Sequence, residues 1–175
     1  IYGAFDTSTT VLNATSTQAS GNTAINTTTK KFGSGSLSLG GDGGNYLRIE
    51  DVLTSTGDYT VEFFFKTNDI TTTNQCVMDL NQSNSTHGGN SPYGFLQIWL
   101  SHNSYSAGQL RAWQSINGTG WASSGVLIGT IAADTWYHVA IMRSGNTTYY
   151  FVDGVRGGTT NSPGSQIYTG TGYTY

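Results

Sequence analysis

The sequence is short of charge, of cysteine and of long apolar runs, and each shortage closes off a class of protein. Only 10% of its 175 residues are Asp, Glu, Lys or Arg, where ordinary soluble domains carry about 25%. Lys and Arg together number 7, and the formal net charge is −3. So few basic groups have little with which to neutralise phosphates, which argues against nucleic acid as a partner and equally against an anionic membrane surface. The single cysteine, Cys76, has no internal partner for a disulfide and lies in the apolar run Cys76-Val77-Met78. That setting favours a buried thiol over a reactive one. No apolar run approaches the roughly 20 residues of a membrane-spanning helix, so membrane insertion is not expected. Glutamate is scarce as well: Glu50 and Glu62 are the only two. The chain opens on Ile1 with no leader pattern, so a processed protein or a piece of a longer polypeptide is expected.

What the chain has instead is glycine (24 residues), Ser, Thr and Asn in place of charge, and aromatics at 13%. That aromatic content separates it from disordered chains. Its length suits one domain with a two-layer core, so residues 1–175 read as a single domain. The best specified stretch is Trp136–Arg156. An aromatic and β-branched run from Trp136 to Met142 ends at Arg143-Ser144-Gly145-Asn146, and a second run, Thr147–Val152, ends at Asp153-Gly154. Gly, Asn and Asp tolerate the positive φ that tight hairpins need, so this is a meander whose third strand begins at Val155-Arg156. Within it, His138 reads as a buried, hydrogen-bonded structural histidine, and Trp136 as an anchor in the core or at a sheet end.

Period-2 alternation continues through much of the rest. Ile1–Asp6 reads as an edge strand, Thr7–Thr29 as a long polar surface connection, and Lys31–Leu39 as a strand with Leu37 and Leu39 inward. Asn45–Glu50 turns either Leu47 and Ile49 or Tyr46 and Arg48 to the core. Tyr59–Lys66 sets Tyr59, Val61, Phe63 and Phe65 against Thr60, Glu62, Phe64 and Lys66. Gln75–Asn81 divides Cys76, Met78 and Leu80 from Val77, Asp79 and Asn81. Gly94–His102 divides Leu96, Ile98 and Leu100 from Phe95, Gln97 and Trp99. Gln109–Ile116 divides Leu110, Ala112 and Gln114 from Arg111, Trp113 and Ser115. Trp121–Ile131 is a looser strand, and Gln166–Tyr175 offers one more. No stretch has helical period. About ten short strands between turn signals make the chain all-β, an antiparallel sandwich or barrel.

Three segments, in this order and spacing, resemble a family. They are Lys31–Leu39 with Asn45-Tyr46-Leu47, Tyr59–Lys66, and Trp136–Ala140 with Tyr150–Gly154. Together they look like the laminin G-like jelly rolls of the concanavalin A-like lectin/glucanase superfamily. The resemblance covers about residues 1–156 and implies an antiparallel β-sandwich, or jelly roll, of two curved sheets. It also implies recognition of sugars or protein surfaces on the concave sheet or its rim loops, in some members with calcium. Relatives usually close with a final strand beside the first. This chain ends at Gly170-Thr171-Gly172-Tyr173-Thr174-Tyr175, so that strand is expected from a continuation or from another chain.

The non-core faces of the middle strands carry Asp79, Asn81, Gln97, Trp99, Arg111 and Trp113. If those strands are neighbours, the face is polar and aromatic. An indole stacks on the apolar side of a sugar ring, while carboxylate, amide and guanidinium groups take its hydroxyls. Trp121 and Tyr93, in glycine-rich loops near strand ends, join this ligand-binding set. The alternative is that Trp99 and Trp113 pack under a rim loop or pair across strands. For calcium, which takes several oxygen ligands, the candidates are Asp6 and Asp42, though Asp42 equally suits a plain turn. His87 and His102 stand isolated, with no second ligand at zinc spacing.

The glycosidases of this superfamily carry alternating acids on one strand. A retaining pair must stand about 5–5.5 Å apart, and here no strand has two alternating acids. Glu62 facing Asp79 across strands is the one remaining arrangement. There is no G-x-S-x-G elbow. The expectation is therefore a non-catalytic module recognising a glycan or cell surface, in an extracellular protein or a virion part such as a phage tail fibre. The alternative is a structural or decoration module that works with other chains of a larger assembly and has no ligand. A glycosidase is the outsider.

Overall fold

The computed structural model describes residues 17–40, 45–50, 57–80, 95–115, 117–161 and 173–174. The strands are β1 (Thr17–Ser20), β2 (Ala24–Asn26), β3 (Ser36–Ser38), β4 (Tyr46–Glu50), β5 (Tyr59–Phe65), β6 (Gln75–Leu80), β7 (Leu96–Leu100), β8 (Gln109–Gln114), β9 (Ser123–Thr130), β10 (Tyr137–Ser144), β11 (Thr147–Val152), β12 (Val155–Asn161) and β13 (Tyr173–Thr174). No helix occurs among the described residues. Two antiparallel four-stranded sheets form the body. The meander sheet has the order β12-β11-β10-β5, and the second sheet, called here the indole sheet for the tryptophans it carries, has the order β6-β7-β8-β9. A three-stranded sheet, β1-β4-β13, and the β2-β3 pair complete the strands.

Alternation explains how the two main sheets pack. Val61, Val139, Ile141 and Tyr150 point inward from the meander sheet. Met78, Leu80, Leu96, Ile98, Leu100, Leu110, Ala112 and Ile128 meet them from the indole sheet. Burying each of the larger of these side chains contributes about 1.5–3 kcal/mol. This is the jelly-roll sandwich expected. Val61 is buried, with Tyr59, Phe63 and Phe65 packed on the core, as the β5 alternation predicts. The hairpin turns also match: Gly145, Asp153 and Gly154 all have positive φ.

At one side the two sheets are joined closely. A Cβ on Gly157 of β12 would lie 2.1 Å from the Ile128 carbonyl oxygen of β9, and one on Gly158 would lie 2.6 Å from Val126. Only glycine lets the backbones approach so closely. A hydroxyl relay crosses the same joint. The Tyr150 phenol and the Thr160 hydroxyl are 3.1 Å apart, and Thr160 and Ser123 are 3.2 Å apart. Burial pushes the Tyr150 phenol up to about 12, so it stays protonated.

Several sequence expectations are corrected. The region 7–29 is not all connection, because β1 and β2 lie in it. Their partners β4 and β3 are distant or short, and Ser/Thr strands show no apolar alternation. The 31–39 strand shrinks to Ser36–Ser38, with Phe32 and Leu39 exposed. In β4 Leu47 is buried, which agrees with the first of the two alternatives for that strand. Phe95, expected on the Gln97 face, is fully buried in the core and meets Tyr59 edge-on at 5.8 Å. The further strand offered by Gln166–Tyr175 narrows to β13, where Tyr173 and Thr174 pair with Glu50 and Ile49 of β4. The Ile1–Asp6 strand lies outside the described residues.

Candidate functional site

The candidate site is built on the outward face of the indole sheet. Cross-strand pairing aligns its residues in two rows: Asp79, Gln97 and Trp113, then Cys76, Trp99 and Arg111. A bulge between Cys76 and Met78 sets the second row. Asp79 opposes Gln97 while Cys76, three residues earlier, opposes Trp99, so both meet the same face of β7. Cys76 was expected on the core side with Met78. The extra residue at Val77 reverses that and sends Val77 to the core. The thiol is half-buried, and burial, reinforced by the Asp79 charge, raises its pKa.

A hydrogen-bond ladder fixes the floor. The Trp99 indole N–H donates to Gln97 Oε1 at 3.1 Å, and Gln97 Nε2 donates to Asp79 Oδ2 at 2.9 Å. Asp79 is 0% exposed and Gln97 1%. Both were expected to reach a ligand directly. Instead the carboxylate anchors the amide, and the amide orients the indole. Arg111, placed in the same set, is committed inside the protein. Its Nε donates to Gln109 Oε1 at 3.0 Å, Nη1 donates to the Gly125 carbonyl, and the guanidinium lies 3.7 Å over the Tyr105 ring.

Above this floor is a cleft of about 220 Å³, lined by Gln97, Trp99, Trp113 and Trp121 together with Asn74, His102 and Asn103. The rings form a cluster. His102 lies 4.7 Å from Trp113 and 6.2 Å from Trp99, and Tyr105 lies 6.2 Å from Trp113. Burial lowers the His102 pKa, and its Nδ1 accepts the Ser104 N–H at 3.3 Å, both of which favour the neutral imidazole. Asn74 and Ser101 hold φ of 60° and 52°. The Asn74 N–H donates to the Ser101 carbonyl at 3.0 Å, and Asn74 Oδ1 accepts the Asn103 N–H at 3.0 Å. The start of β6 and the end of β7 are thus tied into one rim.

Of the residues expected from sequence, Trp99 and Trp121 line the cleft half-buried, Gln97 and Trp113 line it as buried side chains, the latter packed by His102 and Tyr105 as the packing alternative had it, and Asp79 and Arg111 lie beneath or beside it. Asn81 and Tyr93 lie outside the described residues, as do the calcium candidates Asp6 and Asp42. Among the described residues, no group of three or more His, Cys, Asp or Glu could hold a metal ion. Sequence reasoning missed Asn74, His102 and Asn103. The signal was the pairing itself, because Gln75 opposes Leu100 and the residues flanking that pair must share one end of the sheet.

His138 departs from its expected role. It is not buried. It faces outward from the meander sheet, 31% exposed at its side chain, with Nε2 3.3 Å from Glu62 Oε2. Glu62 and Asp79 therefore lie on different sheets, each pointing away from the core. The facing pair considered from sequence does not form.

Two sheets packed face to face, with one outward face shaped into a ringed cleft, define a jelly roll of the concanavalin A-like type. The chain belongs to that superfamily: the laminin G model described as the Concanavalin A-like lectin/glucanases superfamily matches residues 39–175. Among solved structures, the chain is similar to domain 4 of AbnA, a GH43 extracellular arabinanase from Geobacillus stearothermophilus, determined in complex with arabinotriose. The TM-score is 0.61 at 16% identity, covering 91% of this chain and 70% of that one. At that identity the likeness shows the fold. No curated protein matches in sequence.

Proposed function

We propose that this chain is a non-catalytic module that binds a glycan in the cleft of the indole sheet. The observation that carries the reading is the convergence of Trp99, Trp113 and Trp121 with the amides Asn74 and Asn103 around one depression. Indoles stack on sugar C–H faces, and carboxamides both donate to and accept from hydroxyls. Membership of a superfamily of lectins and glucanases supports it, as does the likeness to a domain solved with arabinotriose. The separation of Glu62 from Asp79, and the burial of Asp79, support binding without hydrolysis. The low charge and the Ser-, Thr- and Asn-rich surface suit an extracellular or virion setting, such as a tail fibre, where the module works beside other chains.

A broad glycan array that includes arabinotriose tests the reading. The protein is expected to bind a subset of oligosaccharides, and Trp99→Ala and Trp113→Ala to lose that binding while keeping a native circular dichroism spectrum. No binding anywhere, or binding indifferent to both substitutions, would remove the proposed site. Repeating the array with a calcium chelator tests calcium at Asp6 and Asp42.

A further inference from the structure

We propose that the cleft accepts neutral saccharides and discriminates against chains bearing carboxylate or sulfate groups. This inference rests on the glycan reading above and adds the class of sugar. Recognition of an anion needs a cation or a set of aligned donors at the contact, and the described lining of the cleft holds no Lys, Arg, Asp or Glu. The sequence extends that observation to the loops. Between Asp79 and Asp134 the only charged residue is Arg111. The connections from β6 to β7, from β7 to β8 and from β8 to β9 therefore bring no Lys, Arg, Asp or Glu to this sheet, whatever path they take.

The one cation is already committed. Turning Arg111 toward a ligand would break its bonds to Gln109 and to the Gly125 carbonyl and lift it off the Tyr105 ring. Beneath the floor lies the Asp79 carboxylate, fully buried and hydrogen-bonded to the Gln97 amide. His102 offers the ligand a neutral ring, because its Nδ1 accepts the Ser104 N–H. The lining left to a ligand is indole faces, amide dipoles and an imidazole, a surface suited to hydroxyls and C–H faces.

The test is an array at pH 7.5 of arabino-, manno-, gluco- and galacto-oligosaccharides, with the C6-carboxylate and C6-sulfate forms of the hexose series at matched length and linkage. Every bound probe is expected to be neutral, with its charged counterpart weaker by at least about tenfold and its affinity indifferent to NaCl from 50 to 500 mM. A carboxylated or sulfated probe bound as tightly as its neutral form, or more tightly with loss at high salt, would overturn the inference. The glycan reading itself would survive that result if binding is still lost in Trp99→Ala. An array with no bound probe sinks the glycan reading and this inference with it.

Discussion

The two outward faces of the sandwich are built from the same alternating strands, yet they end in different surfaces. The meander face holds the larger depression, about 370 Å³, around Phe32, Glu62, Phe64 and His138. Its groups satisfy one another. Phe32 meets Phe64 edge-on at 5.0 Å, and the Lys31 ammonium lies 5.8 Å from both rings. His138 lies 4.9 Å from Phe64 and pairs with Glu62. Nearby, Lys66 pairs with Asp134 at 3.6 Å. The indole face has the smaller cleft, but its rings are held from below by a buried carboxylate and amide. The difference teaches that volume is a poor guide to a site. A support that orients side chains toward the opening is the better one.

The largest expected effect tests whether the faces are held back to back by the joint between β9 and β12. Gly157→Ala would drive a methyl into the Ile128 carbonyl. It should cost about 3 kcal/mol, on the order of 10 °C in Tm. Val155→Ala, on the same strand but 71% exposed, should stay within about 0.5 kcal/mol. Thermal denaturation of both variants checks this, and equal Tm values would mean that the joint does not hold the sheets.

The comparison between faces is sharpest in binding. Trp99→Ala should weaken oligosaccharide affinity by about tenfold to hundredfold, whereas Phe64→Ala on the meander face should change it by less than about twofold. Isothermal titration with any array hit decides. A greater loss from Phe64→Ala than from Trp99→Ala would exchange the roles of the two faces.

A smaller effect concerns His102. The unfolded chain takes up a proton at this imidazole near its ordinary value of 6.5, while burial lowers the folded value. Between the two values the unfolded state holds more protons, so stability falls as pH drops below about 6.5. The residue is only half-buried, so the slope is shallow. Urea midpoints at pH 7 and pH 5 should fall less in His102→Gln than in the wild type, and an unchanged difference would remove His102 from the pH response.

The fold was legible because alternation fixes which side chains leave the core. Leu96, Ile98, Leu100 and Val61 follow it residue by residue, and the meander turns follow from the backbone freedom of Gly and Asp. Three kinds of feature were not legible. The bulge at Val77 reversed the face of Cys76, since one inserted residue shifts the period without altering composition. The short strands β1 and β2 take their pairing from β4 and β3 rather than from a pattern of their own. His138 showed that a strand rich in aromatics can turn a half-exposed ring outward. The site was legible as a set of residue types, with Trp99 and Trp113 on one face. It was not legible as a network. Alternation places Asp79 on that face but cannot show that it would be fully buried and bonded to the Gln97 amide.

The smallest expected effect bears on the other face. The His138–Glu62 pair looks site-like, a titratable couple beside an aromatic wall. Glu62 is 58% exposed at its side chain, and exposed pairs of this kind rarely exceed about 1 kcal/mol because water and salt screen them. A double-mutant cycle of Glu62→Gln and His138→Gln should therefore give a coupling below that value at pH 6, shrinking further in 0.5 M NaCl. A coupling above about 1.5 kcal/mol that persists in high salt would show a pair shielded from solvent. The meander face would then be as organised as the indole face, and the contrast drawn between the two would fail at the residues that define it.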